Sequence, residues 1–266
     1  MKVILRKWKT IKIAKTSYGE NTFLSMVKFL KQNDIKFFYT ILFESNINVI
    51  KIRILEENFE ILNEYFIKNN NIKISVNNDY RPEILRYGGK GNIYQIEEIF
   101  CKASFLQSEI LFKENFLKKI LLVLELNKNL FNFIDISSEE IKKIYLFLSQ
   151  MWMEYAKTNF GIEIKNIKNI SENLFDDIIK EEIEINKNEL NDYIYEVKKI
   201  KKLNYINTVY ETPKYSENMK EILEKMNINK TLFNILISLA HMNFNRLELY
   251  PHLECVVYRI LSENEF

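Results

Sequence analysis

The sequence has few cysteines and histidines and almost no excess of charge. Two histidines and two cysteines in 266 residues give little support for a zinc site or a disulfide framework, because each needs several such residues at set spacings. Cys101 and Cys255 each lie in an apolar helical pattern, which predicts buried, reduced thiols. A net charge of +2 provides no field that gathers phosphate, so neither nucleic acid nor a membrane surface is an expected partner.

Long apolar runs are also missing. No run approaches the about 20 apolar residues that a membrane-spanning helix requires, and the N-terminus lacks the charged-then-apolar order of a signal peptide. We therefore expect a cytoplasmic protein. Apolar residues nonetheless make up 47% of the chain and aromatic residues 14%. This composition predicts a globular protein with ample ring surface for a core or an apolar pocket.

Glycine is scarce as well, and its distribution is uneven. Three of the five glycines, Gly88, Gly89 and Gly91, lie close together and shortly after Pro82. Glycine allows backbone angles closed to other residues, and proline disfavours helix in the residue before it, so the pattern predicts a shaped loop. Such a loop can hold an anion before the helix that begins at Asn92, or it can be a tight turn with a surface Glu-Arg pair. Its polar residues are Arg81, Glu83, Arg86 and Tyr87.

Hydrophobic periodicity predicts an α+β protein, with strands first and helices afterwards. The sheet would be mixed or antiparallel, with a hairpin turn at 44–48. No Gly- or Ser-rich linker interrupts the chain, so we predict a single domain over 1–266, in which an α/β lobe at 1–91 packs against a helical lobe at 92–266. The predicted strands are 3–13, 35–43, 49–55 and 72–76, and the predicted helices are 20–32, 56–69, 93–113, 115–133, 138–157, 171–185, 189–202, 215–227, 229–246 and one that starts at 253.

One predicted helix carries polar side chains on an apolar background. Within 229–246, Ser238, His241 and Asn245 follow one another at helical spacing, with Arg246 alongside. Because these groups share one face of a mostly buried helix, they require polar partners. A lone histidine on such a helix is more often a core residue than a catalyst, and the only other histidine is His252. Both interpretations of the imidazole stay open on this pattern.

Two segments resemble the signature segments of the lantibiotic dehydratase C-terminal domain, also called the thiopeptide-type bacteriocin biosynthesis domain. They are 80–89, with the sequence YRPEILRYGG, and 241–247, with the sequence HMNFNRL. The family pattern also has an acidic residue and a phenylalanine in the helix after the first segment, here Glu97, Glu98 and Phe100. The resemblance spans nearly the whole chain and implies the α+β fold of that family.

A third family segment is only partly present. In the family it is a strand ending in alternating arginines after Pro-His, and here it corresponds to 48–53. Lys51 and Arg53 keep the two positive charges, whereas Asn48 and Val49 stand where the family has Pro-His. These departures bear on the reaction, because the positive charges of this strand would bind an anionic substrate.

The resemblance implies one of two reactions on a precursor peptide. Some members remove glutamate from glutamylated Ser or Thr, leaving dehydroalanine or dehydrobutyrine. Others are pyridine synthases, which join two dehydroalanines of an azole-containing peptide by formal (4+2) aza-cycloaddition with loss of water and leader peptide. Elimination would use Lys51, Arg53 and Arg86 as carboxylate ligands and Glu83 and His241 as proton carriers, and cycloaddition would use Glu83, Tyr87 and His241.

Cycloaddition is the first choice from the sequence. The altered third segment weakens anion binding, and an aromatic-rich composition suits an apolar pocket that brings two alkenes together. Elimination is the alternative, since Glu83, Arg86 and His241 are intact. A non-catalytic protein that binds the precursor or serves as a helical scaffold is the second alternative.

The site predictions bring the imidazole of His241 to the guanidinium of Arg86. No metal site and no cofactor are expected. The expected partner is a leader-bearing precursor peptide, and contacts with other enzymes of the same pathway or with a second copy of the chain, as a homodimer, are left open. The predicted catalytic residues are His241, Glu83, Arg86 and Tyr87, and the predicted substrate-binding residues are Lys51, Arg53, Arg81, Ser238, Asn245 and Arg246.

Overall fold

The N-terminal third forms an antiparallel sheet with two helices. The computed structural model describes residues 5–44, 47–70, 76–77, 80–113, 115–134, 136–180, 185–203, 223–226 and 228–264. The strands form one four-stranded sheet in the order β2-β3-β1-β4. Its elements are β1 (Trp8–Ala14), α1 (Ser17–Gln32), β2 (Phe37–Glu44), β3 (Ile47–Leu55), a 3-10 turn (Glu56–Asn58), α2 (Phe59–Asn70) and β4 (Val76–Asn77).

The alternation of side chains along β3 gives the sheet two different faces. Ile50, Ile52 and Ile54 are fully buried on one face, in a cluster with residues of α1 and α2 such as Phe23 and Leu62. The opposite face of the same strand carries the two positively charged residues at 51 and 53, which pair across the sheet with 40 and 38 of β2. The strand therefore both builds a core and presents cations.

Helices form almost all of the rest of the described chain. Helix α5 begins with a capping box between Ser137 and Glu140 and ends at Gly161, whose φ of 66° is the left-handed conformation that favours glycine. Helix α8 (Lys230–Arg246) is capped by Asn229, whose side chain accepts hydrogen bonds from the backbone N–H groups of Thr231 and Leu232. The helices are α3 (Ile93–Ser108), α4 (Phe116–Phe131), α5 (Ser138–Phe160), α6 (Ile167–Lys180), α7 (Lys187–Lys198, continued by a 3-10 turn at Lys199–Lys202), α8 (Lys230–Arg246) and α9 (Pro251–Glu263).

The predicted α+β class is confirmed, with shifts at element ends. The hairpin of β2 and β3 forms, although 45–46 of its turn lie outside the described residues. Helix α3 ends five residues before the predicted 113, and α6 starts at Ile167 instead of 171. Helix α9 starts at Pro251 instead of 253, because proline is well tolerated in the first helical turn. Most of the predicted strand 72–76 and helix 215–227 lie outside the described residues.

The outer edge of β2 is covered by α3 and α8. Both hydrogen-bonding groups of Ile41 pair with the side-chain amide of Asn245, at 3.0 Å from N–H and 2.8 Å to the carbonyl. Arg246 donates from Nε to the Tyr39 carbonyl at 3.0 Å, and Ser104 accepts from the Tyr39 N–H at 3.2 Å. These side chains satisfy polar groups that a neighbouring strand would otherwise bind. The predicted division of the chain at residue 91 stays a prediction.

Within the described ranges, no helix combines the length and the apolar character needed to cross a membrane.

Candidate functional site

The glycine loop lies directly against α8. Gly88 and Gly89 have φ angles of 74° and 114°, a region that strongly favours glycine. A Cβ atom on Gly88 would lie 2.8 Å from Nδ2 of Asn92 and 3.1 Å from Cγ2 of Thr231 on α8. Asn92 is buried and donates to the carbonyls of Tyr87 and Gly88. The two glycines therefore let the loop close tightly and approach the helix.

Arg86 joins this loop to the middle of α8. Its Nε donates to Oγ of Ser238 at 2.9 Å, and its Nη1 donates to the Glu83 carboxylate at 3.0 and 3.3 Å. The side chains of Arg86 and Glu83 are 32% and 51% exposed. A guanidinium that is held on two sides and still reaches solvent can meet a carboxylate of a ligand.

His241 follows Ser238 by one helical turn and is held by α9 and α5. A hydrogen bond of 2.9 Å joins its Nδ1 to Oε1 of Glu254. Its ring stacks on the indole of Trp152, with centroids 4.9 Å apart and an interplanar angle of 15°. The His241 side chain is 33% exposed, whereas that of Glu254 is 1% exposed. The ring thus lies between a buried carboxylate and the surface.

Charges from the loop and from α9 both act on the imidazole of His241. Burial lowers the pKa of His241, but the charge of Glu254 and its hydrogen bond outweigh burial and raise that pKa above its ordinary value; the positive charge of Arg86 opposes them. Burial raises the pKa of Glu254, against the effect of His241. A buried carboxylate beside a neutral imidazole would carry an uncompensated charge, so the pair retains one proton to a higher pH than a free histidine would.

A row of aromatic rings leads outward from the imidazole along α5. The ring of Tyr155 meets Trp152 edge-on at 5.3 Å and Phe160 at 5.9 Å. Trp152 is buried, whereas Tyr155 and Phe160 are 43% and 56% exposed. The row provides an apolar surface of rings beside the acid–base group.

The predicted cations of β3 face a second polar cluster. Arg53 donates to Oγ1 of Thr40 at 3.1 Å, and its guanidinium lies 5.1 Å from the centre of the Tyr80 ring. Lys51 lies two residues earlier on the same face of the sheet and pairs in register with Thr40 and Lys12. Both positions carry a positively charged side chain on the same face of the strand, and Arg53 is anchored by Thr40 and Tyr80.

Glu97 is the buried acid of this second cluster. It accepts a hydrogen bond from the Tyr80 hydroxyl at 3.2 Å. Burial raises the pKa of Glu97 to about 7, although the nearby indole of Trp8, the charge of Arg6 and the hydrogen bond from Tyr80 lower it. The carboxyl group therefore changes protonation near neutral pH. The neighbouring Glu98 instead forms ion pairs, at 2.6 Å with Arg6 and 2.7 Å with Lys36.

The structure brings some of the predicted residues together and separates others. Tyr87, a predicted catalytic residue, is 4% exposed and packs edge-on against Phe100. Arg246 is 1% exposed, and the contacts of Asn245 and Arg246 account for both as supports of the sheet edge. Arg81 lies exposed on the loop. The residues that meet at one place are Glu83, Arg86, Ser238 and His241.

Sequence reasoning did not identify Glu254 as the partner of His241, and His252, the only other histidine of the sequence, is not that partner. His252 stacks on the ring of Tyr250, at 6.1 Å. One signal could have identified Glu254, which is a carboxylate directly before the apolar run Cys255, Val256 and Val257 on a helix with a strong apolar face. An acid in that position is expected to have a buried partner.

Both cysteines lie in the described part of the chain. Cys101 and Cys255 are free and buried, as their apolar surroundings predict. Burial raises the pKa of the Cys255 thiol to about 12, so the thiol stays protonated and unreactive. Across the described ranges, no three His, Cys, Asp or Glu side chains are grouped so that they could hold a metal ion.

The fold and the two signature segments define a family. A family profile described as "Lantibiotic biosynthesis dehydratase C-term" matches residues 30–264, and the chain belongs to this family. By its description, this family belongs to lantibiotic biosynthesis.

Particular relatives cover the chain almost from end to end. Epidermin biosynthesis protein EpiB from Staphylococcus epidermidis is 28% identical over 97% of this chain and 26% of EpiB, so the chain spans about a quarter of that relative's length. Crystal structures of TsrL and of the tRNA dependent lantibiotic dehydratase MibB from Microbispora sp. 107891 both match with a TM-score of 0.48. TsrL is 10% identical to this chain, and the match covers 97% of this chain and 94% of TsrL. MibB is 12% identical, and the match covers 96% of this chain and 27% of MibB.

Proposed function

We propose that the protein removes glutamate from glutamylated Ser or Thr residues of a leader-bearing precursor peptide, leaving dehydroalanine or dehydrobutyrine. The observation that carries this proposal is the imidazole of His241, backed by a buried carboxylate and one helical turn from the guanidinium bound to Ser238. A proton acceptor and a cation at one exposed place are the two groups that elimination of an anionic substrate requires.

The proposed reaction is an elimination that starts with a proton transfer. His241 takes the α-proton of the glutamylated residue, and the electron pair of that C–H bond forms the new Cα=Cβ double bond. The Cβ–O bond of the ester breaks, and glutamate leaves as a carboxylate. Arg86 binds the free carboxylate of the glutamyl group, Arg53 and Lys51 stabilise from the sheet the ester oxygens that become the leaving carboxylate, and Glu83 holds Arg86 and accepts or returns protons at the loop.

The family and its relatives are consistent with this role. EpiB is named for epidermin biosynthesis, and 97% of this chain aligns with part of it. Cycloaddition, the first choice from the sequence, becomes the second candidate because Tyr87, which only cycloaddition would use, is buried, whereas Arg86, which only elimination would use, is partly exposed beside Glu83 and Ser238.

One observation favours cycloaddition as that second candidate. The aromatic row Trp152, Tyr155 and Phe160 lies beside His241 and suits flat azole rings of a dehydrated peptide. In this reaction the imidazole would assist loss of water while the rings align the two alkenes.

Mass spectrometry of two substrates separates the candidates. The protein is incubated with a peptide that carries a glutamylated serine, and separately with a dehydrated, azole-containing precursor. We expect glutamate release and a dehydroalanine product from the first peptide and no change in the second. A macrocycle together with free leader peptide from the second would replace elimination by cycloaddition.

Variants at the site test whether the protein is a catalyst or a scaffold. His241→Ala and Arg86→Ala should each lower the elimination rate by about 100-fold or more, since a general acid–base group contributes about 10²- to 10⁴-fold. His252→Ala is the matched control and should retain full activity. Full activity in both site variants, with circular dichroism unchanged, would defeat the proposed site, whereas no product from the wild-type protein with either peptide would support the scaffold. Contacts with other enzymes or a second copy of the chain stay open.

A further inference from the structure

We infer that Glu254 is a positioning residue that fixes the ring of His241 with Nδ1 inward, so that Nε2 is the nitrogen that exchanges a proton with the substrate. This inference rests on the proposed elimination for its catalytic meaning and on geometry for the position of the ring.

Three contacts restrain the imidazole. Nδ1 lies 2.9 Å from Oε1 of Glu254, one face of the ring lies on Trp152, and the Cα is fixed within α8. With both χ angles determined in this way, the ring has little freedom to turn over. A general base whose orientation is set before the substrate arrives loses no entropy on reaching the reactive geometry.

Glu254 is itself held firmly. It lies in the first turn of α9, where the partial positive charge of the helix N-terminus favours a carboxylate. Its backbone N–H donates to the Tyr250 carbonyl at 3.2 Å, and α9 packs along α5, the helix that supplies Trp152. The acid and the stacking ring therefore belong to one packed unit.

The carboxylate also determines which tautomer His241 adopts. An imidazole nitrogen beside a buried carboxylate carries the hydrogen, because the carboxylate can only accept. Nδ1–H then points to Glu254, and Nε2 keeps its lone pair when the ring is neutral. This is the nitrogen that can take the α-proton, after which Glu254 balances the positive charge of the imidazolium.

Charged and titratable groups on each neighbouring element act on this pair. Burial lowers the pKa of His241, the charge and the hydrogen bond of Glu254 raise it overall, and the charge of Arg86 on the loop opposes them. On α9, burial and, to a smaller extent, the charge of Glu254 raise the pKa values of Cys255 and Tyr258, so these groups stay protonated and carry no competing charge. His241 and Glu254 thus share one exchangeable proton.

Nitrogen-15 NMR of the histidine rings tests the inference without any substrate. The chain has two histidines, so a His252→Asn variant assigns the His241 signals. We expect the neutral ring to carry its proton on Nδ1 and to titrate above the ordinary histidine pKa. A proton on Nε2 in the wild-type protein would overturn the inference, whatever the variants do.

Two substitutions then separate charge from shape. Glu254→Gln keeps the size and the hydrogen-bonding oxygen but removes the charge, and Glu254→Leu fills the buried position without a polar group. Both should lower the pKa of His241 and lower the elimination rate by about 100-fold, the lower end of what a general base contributes. The matched control is Glu263→Gln on the same helix, which pairs with Arg259 and should change neither quantity.

The outcomes distinguish this inference from the proposed function. An unchanged His241 pKa in both Glu254 variants would show that the carboxylate does not govern the ring. If the NMR results are as expected but the wild-type protein releases no glutamate, the elimination fails while the pairing stands. A fall in rate with an unchanged tautomer and pKa would assign Glu254 a purely structural role and overturn the inference.

Discussion

The middle of α8 and its C-terminal end lie on the same face of one helix but have different partners. In the middle, Ser238 accepts a hydrogen bond from Arg86, and about a third of the Arg86 and His241 side chains is exposed. At the end, Asn245 and Arg246 bond to the main chain of β2. The middle keeps two charged or titratable side chains partly exposed, whereas the end holds the sheet.

The rise of a helix explains this difference. Ser238 and Asn245 share a face, but at 1.5 Å per residue they lie about 10 Å apart along the axis, and different elements pack there. We call the middle of α8 with loop 80–92 and Glu254 the site region, and the end of α8 with β2 and α3 the sheet-side region. Changes in the sheet-side region should alter stability, and changes in the site region should alter catalysis.

The largest expected effect concerns Glu97 of α3. Its pKa is about 7 in the folded protein, above its ordinary value. Between the ordinary glutamate pKa and pH about 7, the folded state therefore keeps a proton that the unfolded state loses. The free energy of unfolding falls as the pH rises through this range and is level above it. Glu97→Gln should remove this fall, which amounts to at most about 3 kcal/mol. Urea denaturation from about pH 4 to about pH 8 measures it.

Glu98 provides a control of opposite sign. Burial raises its pKa, but Lys36 and Arg6 outweigh burial and lower the pKa overall, so its charge stabilises the fold above its ordinary pKa. Glu98→Gln should therefore weaken the fold at neutral pH and leave the fall due to Glu97 in place. If Glu97→Gln has the same pH dependence as the wild-type protein, Glu97 is not the group that titrates.

The second effect tests the sheet edge directly. Asn245→Ala leaves the N–H and the carbonyl of Ile41 without their side-chain partner. The free energy of unfolding should fall by about 2 kcal/mol, since an unsatisfied buried group costs about 1–3 kcal/mol and the two groups of Ile41 are only partly buried. The matched control is Asn159→Ala, because the Asn159 amide also bonds a main-chain carbonyl, at 3.0 Å, but is exposed. Equal unfolding free energies for the two variants would contradict the structural role of Asn245.

The sequence predicted the elements of the site region well for local reasons. Clustered Gly88 and Gly89 predicted a shaped loop because their conformation is a property of single residues. The spacing of Ser238, His241 and Asn245 predicted one polar face because helical geometry is also local. The helix, the loop and the α+β order could therefore be predicted before any contact was known.

The partners of these residues could not be predicted in the same way. Glu254 meets His241 only because α9 packs against α5 and α8, and no local pattern determines how those helices pack. Likewise, the sequence does not distinguish Asn245 from Ser238, although one binds a strand edge and the other an arginine. Periodicity identifies a face, and tertiary packing decides what each part of that face contacts.

The smallest expected effect returns to the site region. Ser238→Ala removes the acceptor of the Arg86 Nε–H, so Arg86 keeps its charge and its contact with Glu83 but loses its anchor on α8. We expect kcat/KM for elimination to fall about tenfold, because a hydrogen bond to a charged group is worth about 1.5–3 kcal/mol and tenfold corresponds to about 1.4 kcal/mol.

Stability should change little in this variant, because the exposed part of Arg86 can bond to water instead. Ser262→Ala is the matched control, since its hydroxyl donates to the Arg259 carbonyl within α9 at 2.8 Å, away from the loop. A loss of stability in Ser238→Ala comparable to that of Asn245→Ala, with kcat/KM unchanged, would abolish the contrast between the two parts of α8. A tenfold loss of activity with unchanged stability would instead show that Ser238 anchors the guanidinium of Arg86.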